Sequence, residues 1–167
     1  MKTWDRRQVV KAVGQTLLQQ RSSGQRGQSL LEFAIVLPLL LLIAFGITEF
    51  GRAYYQYNTL TKAIRNGARF VSSHTYSSTN ITNTQNLVVY GQTSGGSIPA
   101  LPGLTTGMIA ITPVGGTTPY NEGNPPNSVV VGVNSYPFSP LVPLLIKLNV
   151  TFSPQVMFRF IGPNAKL

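Results

Sequence analysis

Residues 27–50 read GQSLLEFAIVLPLLLLIAFGITEF, and this stretch decides the fold of the chain. Leu30 to Phe50 gives about twenty residues that are nearly all apolar, the length that an α-helix needs to cross about 30 Å of hydrocarbon. The stretch therefore predicts one membrane-spanning helix, assigned to residues 28–51. Pro38 lies inside this helix and removes one backbone hydrogen-bond donor, so we expect a kink near it.

Positive charge precedes the span. Six of the thirteen Lys and Arg residues lie in the leader, residues 1–27, against one Asp, and a sparser Arg52 follows the apolar run. Basic residues favour the cytoplasmic flank of a spanning helix, so we expect a cytoplasmic N-terminus and an extracytoplasmic C-terminus. Because so much of the basic charge serves this orientation, we expect no nucleic-acid partner. The leader itself is either a basic amphipathic helix from Trp4 to Leu18 that lies on membrane lipid, or a disordered segment.

The helical pattern continues beyond the span. Apolar residues recur at three- and four-residue spacing at Tyr57, Leu60, Ile64, Ala68 and Val71. This periodicity predicts one helix over Ser29 to Ser73, whose outer part, residues 52–73, is amphipathic. The apolar stripe packs either on the chain's own C-terminal domain or on a neighbouring subunit.

Residues 74–167 predict a small, β-rich extracytoplasmic domain, so the fold class is α+β. Residues 74–107 are rich in Ser, Thr, Asn and Gly, which is typical of loops. Four short apolar or alternating runs predict the strands of an antiparallel sheet: Leu87–Tyr90, Met108–Thr112, Ser128–Asn134 and Leu148–Phe152. The apolar run Leu141–Ile146 is too short to span a bilayer; we favour a lid over the sheet or a partner-binding patch over a second membrane contact.

The composition leaves little material for catalysis. The chain has no cysteine, one histidine and four acidic residues, of which only Glu122 follows residue 49. Catalytic acid–base pairs and metal sites need clusters of such side chains. We therefore expect no enzyme activity, no metal and no cofactor, and we expect His74 to interact with the end of the long helix.

Glu32 is the unusual residue of the span, since a charged side chain inside a membrane helix is unfavourable and commonly functional. It could simply reach the cytoplasmic headgroups. Alternatively, cleavage after Gly27 would create an amine on Gln28, four residues before Glu32 and about one helical turn away. The carboxylate could then neutralise that amine or the amine of an adjacent subunit, and it would set the register of helical assembly.

Three motifs resemble those of the TadE-like family. They are RGQSLLEFAIVLP at residues 26–38, EFGR at residues 49–52 and AIRNGAR at residues 63–69. TadE-like proteins are pseudopilins, or minor pilins, of the tight adherence (Tad, Flp or type IVc) pilus machinery. The resemblance implies cleavage between Gly27 and Gln28 by a prepilin peptidase at the cytoplasmic face, with Glu32 as the fifth residue of the mature protein.

Two departures separate the chain from major Flp pilins. Phe33 stands where those pilins typically have tyrosine, whereas phenylalanine is common in the TadE-like branch. The chain also adds about ninety residues beyond the helix, and a domain of that size on every subunit would crowd a thin fibre. Both departures favour a minor subunit.

The resemblance thus implies a structural subunit of the bacterial inner membrane, assembled through its N-terminal helix. Its expected partners are a prepilin peptidase, platform proteins, other pilins in homo- or hetero-oligomers, membrane lipid and, indirectly, a secretion ATPase. The alternative is an uncleaved, single-pass envelope protein that scaffolds the machinery or binds surfaces.

Overall fold

The structure is a computed structural model that describes residues 6–141 and 150–165, with backbone alone in residues 6–26. Its helices and strands follow in the order α1 (Arg6–Ser73), α2 (Ser78–Tyr90), a 3-10 turn (Thr106–Met108), β1 (Ile109–Val114), β2 (Ser128–Val133), β3 (Tyr136–Pro137), β4 (Thr151–Phe152) and β5 (Gln155–Arg159). A long apolar helix followed by a small antiparallel sheet confirms the predicted α+β fold. By its contacts the chain divides into two compact units, Met1–Thr48 and Glu49–Leu167.

The first unit contains the apolar part of α1. From Leu30 to Ile47 the large hydrophobic side chains are exposed on all sides of the helix. Among the described residues, Gly27–Ser73 is the one helix segment long and apolar enough to cross a membrane. A helix that is apolar all round and covered by no other part of its unit needs lipid or other apolar helices around it, so this segment is a membrane anchor of the chain.

The course of α1 differs from the prediction at its start. The backbone is helical from Arg6, whereas the predicted helix begins at Ser29. Good helix formers such as Gln, Arg, Leu and Ala dominate the residues between, and no proline interrupts them. The helix also runs through Pro38 without a break in its assignment, and the kink there stays a prediction.

The second unit has its own hydrophobic core. Its larger sheet has the order β1-β2-β5, and both pairs are antiparallel. Because side chains alternate along a strand, Val129, Val131 and Val133 of the central strand all point into the core. Leu60, Ile64, Ala68 and Val71 of α1 belong to the same core and are fully buried. The apolar stripe of α1 therefore packs on the chain's own domain, one of the two alternatives left open by the sequence.

The predicted strand at Leu87–Tyr90 is wrong. These residues form the last turn of α2. Ser77 caps this helix by accepting a hydrogen bond from the Asn80 N–H at 3.3 Å. At the other end Gly91 adopts φ 76° and donates its N–H to the Leu87 carbonyl at 3.0 Å. Serine at an N-cap and glycine in the left-handed conformation are the usual helix boundaries, and here they outweigh the loop-like composition.

Close packing against α1 is the second reason why residues 78–90 form a helix. Thr84 and Val88, one turn apart, are fully buried. A Cβ added to Gly67 of α1 would collide with a methyl group of Val88 and lie 3.3 Å from the Thr84 methyl. The absence of a side chain at Gly67 thus lets the two helices approach closely.

The other strand predictions had mixed outcomes. Met108–Thr112 and Ser128–Asn134 correspond to β1 and β2, and Thr151 and Phe152 form β4. The remainder of the predicted strand Leu148–Phe152 includes residues outside the described part of the chain, as does most of Leu141–Ile146. Strands β3 and β5 were not predicted.

Candidate assembly and anchoring sites

The residues of the predicted cleavage and assembly site lie on neighbouring turns of α1. Helical spacing brings Gln28 and Glu32 to one face, where the Gln28 side-chain amide donates to Glu32 Oε1 at 3.3 Å. The pair is solvent-exposed in the chain alone, as is Phe33. Glu32 therefore already contacts the residue whose amine cleavage would create.

The predicted cleavage bond lies inside the helix. The backbone is helical on both sides of Gly27, and a Cβ added there would have nothing within 4 Å. A peptidase needs an extended bond, so cleavage there requires local unwinding of α1. Glycine is about 1 kcal/mol less favourable than alanine inside a helix, and Gly24 and Gly27 together weaken this turn.

A second polar site lies where the apolar run ends, and we call it the Glu49 clamp (Glu49, Arg52, Phe138, Ser139 and Leu141). Glu49 is 4% exposed and forms a 3.0 Å ion pair between its Oε2 and Nη1 of Arg52. Its other oxygen, Oε1, accepts the backbone N–H of Leu141 at 2.6 Å. Both carboxylate oxygens are thus satisfied, which a buried charge requires.

Arg52 extends the clamp to the neighbouring residues. Its Nη2 donates to the Ser139 carbonyl at 3.1 Å, and its guanidinium lies 5.4 Å from the centre of the Phe138 ring. Phe138 in turn packs against Phe152 of β4, with ring centroids 6.0 Å apart. The clamp therefore fastens residues 138–141 to α1 directly after the apolar run.

In the sequence, Glu49 and Arg52 were recognised as part of the EFGR motif, but their role in holding residues 138–141 on α1 was not predicted. Their three-residue spacing on a helix is a recognisable signal for an ion pair. The contact with Leu141 has no such signal, because it joins residues 92 positions apart.

His74 and Tyr76 are titratable groups whose contacts are with neighbouring aromatic residues or the helix end. His74 Nδ1 lies 2.8 Å from the Phe70 carbonyl oxygen, and its ring stacks on Phe70, so it interacts with the end of α1 as expected. Burial raises the pKa of Tyr76, and the nearby Tyr120 adds to this effect. Within residues 27–141 and 150–165, His, Cys, Asp and Glu form no group of three that could hold a metal ion.

A pocket of about 370 Å³ opens at the start of α2. Two tyrosines, Tyr76 and Tyr120, contribute to its wall, and their rings meet edge to face at 6.3 Å. Glu122 is the one carboxylate in the lining. The lining therefore offers aromatic surface and a single acid, without the paired groups of acid–base catalysis.

Comparison with known proteins gives one match. Residues 27–69 match the family model described as TadE-like protein, which confirms the resemblance predicted from the sequence. The matched segment contains the Gln28–Glu32 pair, the apolar run, and Glu49 with Arg52. Searches of curated proteins and of solved structures found no match to the chain.

Proposed function

We propose that the chain is a minor, pilin-like structural subunit associated with a Tad pilus, because residues 27–69 match the TadE-like family model. It is cleaved after Gly27 by a prepilin peptidase and assembled through its N-terminal helix. The observation that carries this proposal is the placement of Glu32 within the matched helix, already bonded to Gln28.

Cleavage changes the charge at the end of the helix. Before it, Gln28 has a neutral backbone amide; after it, Gln28 carries an ammonium group one helical turn from the Glu32 carboxylate. Opposite charges at this spacing attract each other, and in a low-dielectric environment an unpaired charge is strongly unfavourable. A subunit is therefore best accommodated where Glu32 meets its own amine or that of a neighbour, and the contact with a neighbour's amine sets the register.

The apolar surface of α1 serves both environments of such a subunit. In the inner membrane, with the N-terminus in the cytoplasm, lipid covers the exposed side chains of residues 30–47. On transfer to the assembly, the helices of other pilins cover the same surface. The partners are thus the peptidase, platform proteins and other pilins, with a secretion ATPase acting indirectly, and the role is structural.

Removing the charge of Glu32 tests this mechanism. We expect Glu32→Ala and the isosteric Glu32→Gln to insert and be processed normally, while their amount in sheared pilus or membrane-extracted assembly fractions falls roughly tenfold, the effect of about 1.4 kcal/mol per subunit. Immunoblots of whole-cell, membrane and assembly fractions measure this distribution.

The matched control is Glu122→Gln, which neutralises an exposed carboxylate of the second unit. It should assemble like the wild type. Normal incorporation of Glu32→Gln would show that the charge of Glu32 does not set the register.

A further inference from the structure

We propose that the Leu141 side chain, which the Glu49 clamp holds next to the end of the apolar run, contacts the lipid bilayer. This contact goes beyond the proposed function, because it assigns membrane contact to a residue outside α1, and for Leu141 it replaces the lid or partner-binding patch that the sequence favoured. It depends only on the membrane anchoring of α1 and not on cleavage after Gly27.

The position of Leu141 along the membrane normal follows from Glu49. Leu30 to Phe50 covers about 30 Å of helix, which is the thickness of the hydrocarbon, so Glu49 lies at its boundary. The Leu141 N–H is bonded to Glu49 Oε1 at 2.6 Å. The backbone of Leu141 is thus within one side-chain length of that boundary.

Exposed apolar side chains from two distant parts of the chain lie near Glu49 in sequence or through the Leu141 hydrogen bond. Leu141 is 67% exposed in the chain alone, and Phe50 and Tyr54 of α1 are 75% and 64% exposed. Aromatic residues at the end of a span are typical of the membrane–water interface, and exposed apolar side chains together mark an interaction surface. Because Phe50 ends the apolar run in sequence and Leu141 is bonded to its neighbour Glu49, we assign the bilayer interface as the occupant of this surface.

The charged groups of the Glu49 clamp are paired with each other, so they do not make contact of Leu141 with lipid unfavourable. The Glu49 carboxylate is paired with Arg52 and with the Leu141 N–H, and Arg52 also donates to the Ser139 carbonyl. No unpaired charge of the clamp needs to enter the interface. The clamp thereby holds an apolar side chain outward while it satisfies the charges behind it.

Because the chain contains no cysteine, single nitroxide labels can test this contact in the full chain. The label is placed by Leu141→Cys, with Ile47→Cys in the apolar run as the lipid reference and Ser73→Cys as the aqueous reference. Ser73 is exposed and lies about 36 Å further along α1 than Glu49. Each variant is reconstituted in phosphatidylethanolamine/phosphatidylglycerol liposomes, and collision with oxygen is compared with collision with a water-soluble nickel chelate.

We expect the oxygen-to-nickel collision ratio at position 141 to resemble that at position 47 and to exceed that at position 73 several-fold. A ratio at position 141 equal to that at position 73 would overturn the proposal. Exclusion of both reagents at position 141 would also overturn it and would indicate that protein, of the same chain or of a second copy, covers this side chain. Since uncleaved protein is used, neither result bears on cleavage after Gly27.

Discussion

Glu32 and Glu49 show two different surroundings for a carboxylate in one long helix. Glu32 is exposed and contacts the uncharged side chain of Gln28, so its charge is available to a cationic partner. Glu49 is buried, and Arg52 and the Leu141 N–H satisfy both of its oxygens. We infer that Glu32 is available to an amine, its own or that of an adjacent subunit, whereas Glu49 acts within the chain.

A second contrast at the residue scale concerns two buried tyrosines. The Tyr136 hydroxyl donates to the Pro102 carbonyl at 2.8 Å, whereas the Tyr76 hydroxyl has no hydrogen-bond partner among the described residues. We expect Tyr136→Phe to lower the free energy of unfolding by about 1 kcal/mol, the net value of a hydrogen bond, and Tyr76→Phe to change it little. Denaturant unfolding of the full chain in detergent, followed by circular dichroism, compares the two. Equal losses would contradict the role of the Pro102 contact.

Both tyrosines also predict how stability depends on pH. Burial raises the pKa of Tyr76 and of Tyr136, and for Tyr136 the Arg52 charge partly offsets this rise. Because the unfolded chain loses these protons near pH 10, before the folded chain does, their contribution is complete below that pH and is lost above it.

We therefore expect the two tyrosines to have no effect on the unfolding midpoint between about pH 7 and 9. Above about pH 10 the midpoint should fall. The double variant Tyr76→Phe/Tyr136→Phe should show a smaller alkaline fall than the wild type. A fall of equal size in both proteins would mean that other groups cause it.

At the scale of elements, Gly67 controls the packing of α2 on α1. A Cβ at this position would collide with a Val88 methyl, so we expect Gly67→Ala to destabilise the second unit by about 1 to 3 kcal/mol, the usual effect of overpacking. Gly51→Ala is the matched control, because a Cβ there has nothing within 4 Å. Thermal melts of the full chain should show a loss for Gly67→Ala alone, and Val88→Ala should partly restore it. Equal melts for both glycine variants would contradict the close approach.

The elements also show what the sequence could predict. The span and the strands β1 and β2 were predictable, because their signals are local in length and periodicity. The signals of α2 were capping residues and the contact of Val88 with Gly67, and the second is tertiary. Strand β5 (Gln155–Arg159) alternates in burial, but its sequence QVMFR does not alternate in polarity, so the periodicity could not reveal it.

At the scale of the whole molecule, one candidate site could be predicted from the sequence and the other could not. Gly27, Gln28 and Glu32 are neighbours in sequence, so their spacing on a helix could be predicted directly. The Glu49 clamp could not, because the fold brings residues 138–141 to α1 from far along the chain. The first unit provides the apolar helix, and the second provides a core that buries the outer stripe of α1.

Cleavage after Gly27 is tested most directly by the intact mass of the membrane-extracted protein from cells that possess the prepilin peptidase. We predict a chain that begins at Gln28 for the wild type, and a chain that begins at Met1 for a variant with a bulky residue such as Gly27→Leu. Recovery of wild-type protein with an intact Met1 terminus from those cells would contradict the proposed function and favour the uncleaved envelope scaffold.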